Sequence, residues 1–431
     1  MTAAFPLPGP ARGSRNDPGR RRLVDAVLGP TPRDLLRPLV SLLADDLARQ
    51  RGRPPDPAEW RGWGPDTTVD EDGLGVDSLA RLELVSRVSR VFALHRSGVE
   101  DYLLLHRRLI DWAEIAREGL QRAPSHPGPA LVFDSSGSTG RPSTASHALR
   151  DLLAEADAHA ALLPGIRRIV SLVPPHHIYG FLFGVVGPQR RGLPLLDARG
   201  RPPGALLGEL ARGDLVVATP FLWELLARSG ARLPAGISGV TSTAPMPPRL
   251  WHRLHDLGLA SLTEIYGATE TGGLGARSEP EAPFRPLAHV ELIPGPSPAF
   301  RRRRTGRRLQ HQDRLAPAGR QGFRVLGRLD GAVQVGGHNV APGRVAARLA
   351  DHPAIAEAAV RLDDGGPTAR LKALVVPAMP EVMADGPCEA AFLDGLRRWM
   401  RGRLAAPERP ERLDLAPSLP RDAMGKPTDW R

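Results

Sequence analysis

Lysine and cysteine are both scarce in this sequence, and long hydrophobic runs are missing. The chain has 58 lysine and arginine residues among its 431, yet lysine occurs only at Lys372 and Lys426. A single cysteine, Cys388, excludes an intrachain disulfide. No run approaches about 18 consecutive apolar residues, which excludes a membrane-spanning helix, and the N-terminus lacks the apolar centre of a signal peptide. These absences together predict a cytoplasmic protein.

What is abundant is arginine. The formal net charge is +11, and the run "AFRRRRTGRRLQHQ" at residues 299–312 concentrates it, so a phosphate-rich partner such as nucleic acid has to be considered. The sequence has no zinc-finger spacing, no heptads and no basic helix interleaved with aromatics. We therefore predict a solvated arginine-rich hairpin, and nucleic acid is not expected to be the main partner.

The N-terminal third reads as helical. Residues 1–30 are rich in proline, glycine and arginine and are predicted to be disordered. Leucines at helical spacing predict a first helix over residues 32–50, a second beginning at Asp77 and Ser78, and a third over residues 107–120. These three helices predict a small all-α bundle over residues 31–122.

After residue 122 the pattern changes to short apolar runs that alternate with helical segments. This alternation predicts an α/β sheet over residues 123–329, with ligands bound at the ends of its strands. From residue 330 to residue 431, a hairpin followed by strands and helices predicts a smaller α+β domain. The length and the ordinary composition, 41% hydrophobic and 24% charged, agree with several globular domains.

Three segments carry candidate chemistry. The loop "DSSGSTGRPST" at residues 134–144 exposes N–H groups and hydroxyls that suit phosphate oxygens, although it lacks the Walker ending and could be an ordinary loop. In "EIYGATETGG", Tyr266 could offer a ring face to a base and Glu270 a carboxylate to a divalent metal. Asp313 and Arg328 face each other across a predicted hairpin, and Asp313 suits ribose hydroxyls. The alternative is that these acids are only solvated surface groups.

The order and spacing of these segments resemble the adenylate-forming superfamily, which includes acyl- and aryl-CoA ligases. The resemblance covers residues 131–431 and also includes "PPHHIYG", "TSTAPMP", "VGGHNVAPGRV" and the closing "PRDAMGKPTDW". It implies an α/β adenylate-forming fold with a mobile C-terminal domain, ATP and Mg²⁺ as cofactors, and a small carboxylic acid as substrate.

The resemblance also implies a role for each matching residue. The triphosphate loop would comprise Ser135, Ser136, Gly137, Ser138, Thr139 and Gly140, and the adenine and phosphate segment Tyr266, Gly267, Ala268 and Thr269. Mg²⁺ would bind Glu270 and Thr139; ribose would meet Asp313 and Arg328; the acyl and thiol sites would include His177, Thr243, Ala244, Gly336 and Gly337. Asp330 would be the hinge, and Lys426 the catalytic cation.

The choice of lysine at position 426 supports that last role. Attack by a carboxylate on the α-phosphorus builds negative charge between the nucleophile and the leaving pyrophosphate, and a compact ammonium can touch both. A planar guanidinium is wider and replaces it poorly. Because the chain uses lysine at only two of 58 basic positions, Lys426 indicates a working enzyme and not a degenerate one.

The N-terminal region carries a second resemblance. Around Asp77 and Ser78, the segment "LGVDSLARLELVSRV" resembles an acyl carrier protein, in which Ser78 would carry 4′-phosphopantetheine added by a phosphopantetheinyl transferase. A phosphodiester at a helix N-terminus would meet unpaired N–H groups and the positive helix end. The alternative is that Asp77 or Ser78 only caps the helix.

These observations predict a ligase that converts a carboxylic acid and ATP into an acyl-adenylate and then a thioester. The acceptor thiol could be carried by Ser78, by a separate acyl carrier protein or by CoA. Only about ten residues separate the helical unit from the phosphate loop, so part of the usual acyl-pocket wall is expected to be missing or to be supplied by the carrier-like unit or a partner. An aryl acid is favoured over a fatty acid. The alternatives are a non-catalytic carrier or scaffold and a basic nucleic-acid-binding protein.

Overall fold

The structure, a computed structural model, describes residues 29–53, 56–123, 128–135, 143–319, 321–329, 331–363 and 369–420 together with Trp430. Most of the segment predicted to be disordered therefore lies outside the described residues. Several predicted site residues also lie outside them: Ser136, Gly137, Ser138, Thr139, Gly140, Asp330 and Lys426. Within the described ranges, every helix is too short or too polar to cross a membrane.

Among the described residues of the N-terminal region, five helices are present. They are α1 (Pro32–Gln50), α2 (Pro57–Trp60), α3 (Ser78–Val91), α4 (Tyr102–Leu105) and α5 (Leu109–Arg122). Helix α1 starts where the leucine spacing predicts, because Thr31 and Asp34 form a reciprocal capping box ahead of a proline in the first turn. Helix α3 is capped by Asp77, whose carboxylate accepts a hydrogen bond from the Ala80 amide at 2.8 Å.

The N-terminal helices do not form a separate bundle, which corrects the expected boundary near residue 122. Leu39, Leu84 and Trp112 lie in the same hydrophobic core as Phe133 and Phe181, which belong to the α/β region. Helix α1 is buried on nearly all sides, as expected for a helix at the centre of a core and not for one at the edge of a small bundle. The leucine pattern identified the helix but did not reveal how much of it is enclosed.

The α/β region begins with an antiparallel hairpin, β1 (Ala130–Ser135) and β2 (Ser143–Ala148). A seven-stranded sheet follows, with strand order β4-β3-β5-β6-β7-β8-β9. Its strands are β3 (Arg168–Ser171), β4 (Leu195–Asp197), β5 (Asp214–Ala218), β6 (Ser238–Thr241), β7 (Ser261–Ala268), β8 (Gly272–Arg277) and β9 (Arg285–Pro286). The first five strands in this order pair in parallel, and the pairings of β7 with β8 and of β8 with β9 are antiparallel. The predicted α/β sheet is therefore confirmed.

Helices cover both faces of this sheet. They are α6 (Leu149–Leu162), α7 (Ile178–Phe181), α8 (Gly187–Arg191), α9 (Pro203–Glu209), α10 (Pro220–Arg228) and α11 (Pro248–Asp256), with a helical turn at Leu182–Val186 joining α7 to α8. Along β5, Leu215 and Val217 enter the core shared with the N-terminal helices, and Val216 enters a second core with Trp223 and Trp251. A central parallel strand buried on both faces explains the continuous apolar run that predicts it.

Smaller sheets complete the larger domain. They contain β10 (Val290–Ile293), β11 (Ala299–Arg302) and β12 (Arg308–Leu309), and then the hairpin of β13 (Asp313–Ala318) and β14 (Gly322–Arg328). The arginine run forms the β11–β12 hairpin, as predicted. It is not wholly solvated, however, because Arg302 is only 6% exposed. This burial corrects the expectation for the run.

The C-terminal region has its own core, which includes Val335, Leu349, Leu371 and Leu396. Its elements are β15 (Val333–Val335), β16 (His338–Val340), α12 (Pro342–Ala350), β17 (Ile355–Asp363), β18 (Arg370–Pro377), α13 (Gly386–Arg401) and β19 (Arg412–Leu415). Short 3₁₀ turns occupy Leu94–Arg96, Pro380–Met383 and Ala406–Glu408. This is the smaller α+β domain that the sequence predicts.

Replacing Leu84 tests whether the N-terminal helices and the α/β region share one core. Leu84 is fully buried, and Leu82 on the same helix is 49% exposed. We expect Leu84→Ala to lower the free energy of unfolding by about 2–5 kcal/mol, because it leaves a cavity. We expect Leu82→Ala to change it by less than about 0.5 kcal/mol. Urea denaturation measures both values.

Amide hydrogen exchange shows which parts of the protein lose stability in Leu84→Ala. With a shared core, Leu84→Ala accelerates amide exchange in helix α5 and in strands β1 and β5 together. Acceleration confined to residues 32–122 would show that the helices unfold as an independent unit.

Candidate functional site

The candidate site lies where loops leave the strands of the seven-stranded sheet. The β13–β14 and β15–β16 hairpins lie next to it. Strand β7 ends in the segment that carries Tyr266, Gly267, Ala268, Thr269 and Glu270, and a tight turn then leads into β8. Loops at the carboxyl ends of parallel strands are the usual ligand-binding positions of such sheets. The structure therefore places the predicted nucleotide segment at the edge where the fold leads us to expect it.

Tyr266 and Asp313 are brought together by a hydrogen bond. The Tyr266 hydroxyl donates to Asp313 Oδ2 at 2.6 Å, and the tyrosine ring packs against Phe284 and Phe323 at centroid distances of 5.5 and 5.4 Å. Burial, with the nearby Asp313 carboxylate adding to it, raises the pKa of Tyr266, so the phenol remains a hydrogen-bond donor. The bond fixes the Asp313 carboxylate beside the ring.

Arg328 joins this pair through the register of the β13–β14 hairpin. Asp313 and Arg328 are directly opposite each other in the ladder, as predicted, and the Arg328 guanidinium donates to Gln312 Oε1 at 2.6 Å. A ring, a carboxylate and a guanidinium therefore converge on one edge of the fold. These three groups can meet a base, vicinal hydroxyls and phosphate oxygens respectively.

Glu270 lies exposed in the turn between β7 and β8, next to the half-buried Thr269. Among the described residues, no group of three or more histidine, cysteine, aspartate and glutamate side chains is placed to hold a metal ion. A magnesium ion bound mainly by phosphate oxygens and water needs only one or two carboxylates from the protein. The exposed Glu270 carboxylate fits that requirement, and its predicted partner Thr139 lies outside the described residues.

The phosphate-loop segment connects strands β1 and β2. Ser135 ends β1 and pairs with Ser143, which begins β2, so the residues between them span the end of a hairpin. Asp134 forms an ion pair with Arg87 of helix α3, and Arg87 also lies 3.3 Å from Asp46 of helix α1. These contacts attach the hairpin, next to the point where the phosphate-loop segment begins, to the N-terminal helices.

The two adjacent histidines of "PPHHIYG" differ in their surroundings. His176 is buried, and its Nδ1 lies 2.8 Å from the hydroxyl of Ser41 in helix α1, to which Arg199 also donates. Burial lowers the pKa of His176, so that ring is neutral at neutral pH. His177 is exposed. Sequence reasoning missed the Ser41–His176 contact, while the histidine predicted for the acyl site is the one that remains accessible.

The acyl and thiol segments meet in the structure. Gly336 and Gly337 form the tight turn of the β15–β16 hairpin with φ of +57° and +83°, a backbone conformation that glycine adopts without penalty. A Cβ atom placed on Gly337 would lie 3.9 Å from Thr243 Oγ1. Thr243 itself has a φ of +79°, which is unusual for a β-branched residue. The small domain thus presents its glycine turn to the exposed Thr243 and the adjacent half-buried Ala244.

Ser78 occupies the first position of helix α3 and is exposed, with Asp77 acting as the helix cap. The cap accounts for the local sequence without any modification of Ser78. The neighbouring Leu79 is 67% exposed. An accessible serine at a helix N-terminus is therefore present as predicted, but the N-terminal helices around it are part of the larger domain.

The sequence matches known protein families over most of its length. The AMP-binding enzyme family model matches residues 70–295, and the model of the AMP-binding enzyme C-terminal domain matches residues 344–426. The first match includes Ser78 and the helix that follows it. Residues ahead of the phosphate loop are therefore part of the AMP-binding region itself.

Several relatives are similar along most of the chain. A 4-coumarate–CoA ligase of Rhodobacter capsulatus is 40% identical over 406 residues, which cover 91% of this chain and 99% of that protein. A 4-coumarate–CoA ligase of Cereibacter sphaeroides is 40% identical over 369 residues, covering 85% and 86% of the two chains. These coverages show that the relatives share the compact length of this chain.

A solved structure supports the fold. The amide bond synthetase of Marinactinospora thermotolerans superposes with a TM-score of 0.56 at 19% identity, covering 91% of this chain and 92% of that one. The adenylate-forming fold with its C-terminal domain is thereby confirmed. The family models and the relatives confirm the superfamily resemblance and the expectation of an enzyme. The chain belongs to the AMP-binding enzyme family.

Proposed function

We propose that the chain is an AMP-forming acid–CoA ligase that activates an aryl acid of the 4-coumarate type. The observation that carries this proposal is the 40% identity, over nearly the full length, to proteins named 4-coumarate–CoA ligase. The convergence of Tyr266, Asp313 and Arg328 supports it, because ATP requires sites for a base, a ribose and phosphates. An unsaturated aryl acid also agrees with the aryl preference expected from the sequence.

Nucleotide binding is assigned to the edge of β7 and the β13–β14 hairpin. The Tyr266 ring stacks on adenine, and Asp313 accepts hydrogen bonds from the ribose hydroxyls. The bond from Tyr266 to Asp313 holds this carboxylate in place before ATP arrives, so less order has to be created on binding. Arg328 faces the ribose and phosphate side. Gly267 and Ala268 belong to the same nucleotide segment, and the lack of a side chain at Gly267 lets the backbone of Gly272 approach closely.

The first half-reaction is the attack of the acid's carboxylate oxygen on the α-phosphorus of ATP. An O–P bond forms, the bond to pyrophosphate breaks, and the acyl-adenylate remains bound. Lys426 neutralises the charge that develops between the two oxygens. Magnesium, when bound by Glu270 and Thr139 with the phosphates, would neutralise the charge of the triphosphate. Ser135, Ser136, Gly137, Ser138 and Gly140 wrap the phosphates with N–H groups and hydroxyls.

The second half-reaction follows rotation of the C-terminal domain about Asp330. The thiol sulfur attacks the acyl carbonyl carbon, a C–S bond forms, the C–O bond to AMP breaks, and the thiol proton passes to solvent. Support comes from the position of Gly337 beside Thr243, since a turn without side chains next to the acyl segment leaves space for a narrow pantetheine arm. His177 and Ala244 line the acyl side, and closure keeps water away from the adenylate.

CoA is the acceptor that we favour over a phosphopantetheine arm on Ser78 or on a separate carrier protein. The relatives are named as CoA ligases, and the AMP-binding match includes Ser78 in the enzyme domain. Ser78 then acts as the first residue of a capped helix. The chain would not need a phosphopantetheinyl transferase as a partner.

Replacing each of the two lysines by arginine tests the role of Lys426, with Lys372 as the matched control. We expect Lys426→Arg to slow ATP–pyrophosphate exchange with 4-coumarate by about a hundredfold or more, because the wider guanidinium cannot bridge both oxygens. Lys372 is buried 3.9 Å from Asp363, and Lys372→Arg keeps that charge, so exchange should remain close to wild type. Thioester formation from supplied coumaroyl-adenylate should persist in both variants. Normal exchange in Lys426→Arg would remove the assigned role.

Adding a side chain to the glycine turn tests the second half-reaction. Gly337→Asn keeps a residue type that tolerates positive φ, but it fills the space beside Thr243. We expect transfer from supplied adenylate to CoA to fall roughly tenfold to a hundredfold, with ATP–pyrophosphate exchange retained. Gly306→Asn is the control, because Gly306 also has a positive φ of +66° and faces open space. Equal behaviour of the two variants would contradict the assignment.

Intact-mass measurement separates CoA from a carrier arm. After incubation with CoA and a phosphopantetheinyl transferase, we expect no mass gain, and Ser78→Ala should form coumaroyl-CoA at the wild-type rate. A pantetheine-sized mass gain that disappears in Ser78→Ala would establish the carrier function in place of our assignment. Absence of coumaroyl-CoA with free CoA in both proteins would point to the non-catalytic alternative.

A further inference from the structure

Buried side chains from three different elements bind the backbone of the turn that carries Thr269 and Glu270. His147 Nε2 of strand β2 lies 2.6 Å from the Thr269 carbonyl oxygen, and Arg302 of strand β11 donates to the Thr271 carbonyl oxygen at 3.2 Å. On the far side, the Gly273 amide donates to Glu155 Oε1 of helix α6 at 2.6 Å. The turn is therefore held at its beginning, middle and end.

The geometry defines one tautomer of His147. A carbonyl oxygen can only accept, so the Nε2 atom that faces the Thr269 oxygen must carry the proton. Nδ1 is then an acceptor, and the Arg302 guanidinium, which has only donors, lies 3.5 Å from it. Burial lowers the pKa of His147 to about 4, which keeps the ring neutral at neutral pH and agrees with this assignment.

The surroundings of Arg302 hold its side chain in one position. It is 6% exposed, and its Nε lies 3.4 Å from the Asp151 carboxylate of helix α6. Arg301, the preceding residue in the same strand, points the other way and forms a two-pronged surface pair with Glu291 at 2.8 and 2.9 Å. Alternation along β11 thus gives two adjacent arginines opposite surroundings. A buried guanidinium with a carboxylate and two further acceptors is held much more firmly than an exposed pair.

We propose that His147 and Arg302 are positioning residues that fix the turn bearing Thr269 and Glu270 for magnesium–nucleotide binding and adenylation. The inference rests on the proposed function, because Glu270 is assigned there to the metal; the family resemblance places Thr269 beside the phosphate. Each of the two positioning residues acts through the backbone carbonyl that it binds, and that carbonyl orients the peptide next to Glu270.

Removing the donor group of His147 or of Arg302 should loosen the turn and impair adenylation while sparing transfer to the thiol. We expect His147→Leu and Arg302→Met to weaken magnesium–ATP binding and to slow ATP–pyrophosphate exchange, each roughly tenfold or more, because a displaced ligand loses its alignment. Transfer from supplied coumaroyl-adenylate to CoA needs no triphosphate and should stay within about twofold of wild type. His147→Gln should recover most of the loss, since a glutamine amide can donate from nearly the same place as Nε2.

Arg301→Met is the matched control. It removes a neighbouring charge from the same run but leaves the turn untouched, so ATP binding and exchange should be unchanged. Thermal denaturation of all variants checks that they are folded. If His147→Leu fails to fold, His147→Asn and His147→Gln replace it: asparagine is too short to reach the Thr269 oxygen, and only glutamine should support tight magnesium–ATP binding.

Two results would overturn the inference. One is that Arg302→Met and Arg301→Met bind magnesium–ATP as tightly as the unchanged protein, by calorimetry with and without the metal. The other is that adenylation and thiol transfer decline equally, which would indicate a general structural role. Failure of the unchanged protein to bind magnesium–ATP is a separate outcome, and it would refute the proposed function together with this role for the turn.

Discussion

One hydrophobic core, shared by the N-terminal helices and the nucleotide-binding sheet, is the constraint on which the other features depend. Leu39 and Leu84 from the helices meet Phe133 of the hairpin and Phe181 beside the histidine segment. Because packed interiors transmit small displacements, the positions of the phosphate-loop hairpin and of the acyl segment are set by the same helices. The polar contacts across this boundary, Ser41 with His176 and Arg87 with Asp134, then fix the alignment.

The side chains of the candidate site, which this shared core positions, fall into two classes. In the proposed function, exposed or half-buried side chains such as His177 and Glu270 are assigned to the ligands, and buried polar side chains hold the backbone behind them. Tyr266 belongs to both classes, since its ring is assigned to the base and its hydroxyl holds Asp313. Rigid support behind accessible groups is how a loop-based site keeps the alignment that phosphoryl transfer requires.

The sequence predicted local features well and their surroundings poorly. Helix α1 was predictable from leucine spacing and from its cap, and the opposition of Asp313 and Arg328 from the turn between them. The burial of Arg302 was not, because the four consecutive arginines at residues 301–304 look alike in sequence until the neighbouring helix α6 supplies Asp151. The shared core was missed for a similar reason: a leucine pattern shows that a helix is amphipathic, but which partners enclose it depends on contacts distant in sequence.

The burial of Lys372 has a chemical consequence under the proposed function, in which the chain makes a mixed anhydride. Acyl-adenylates that escape react with free amines, and arginine, which stays protonated, is a poor target. With Lys372 only 7% exposed, few amine side chains on this chain could be acylated by its own product. A surface built from arginine therefore keeps its positive charge while remaining almost inert toward the reactive intermediate.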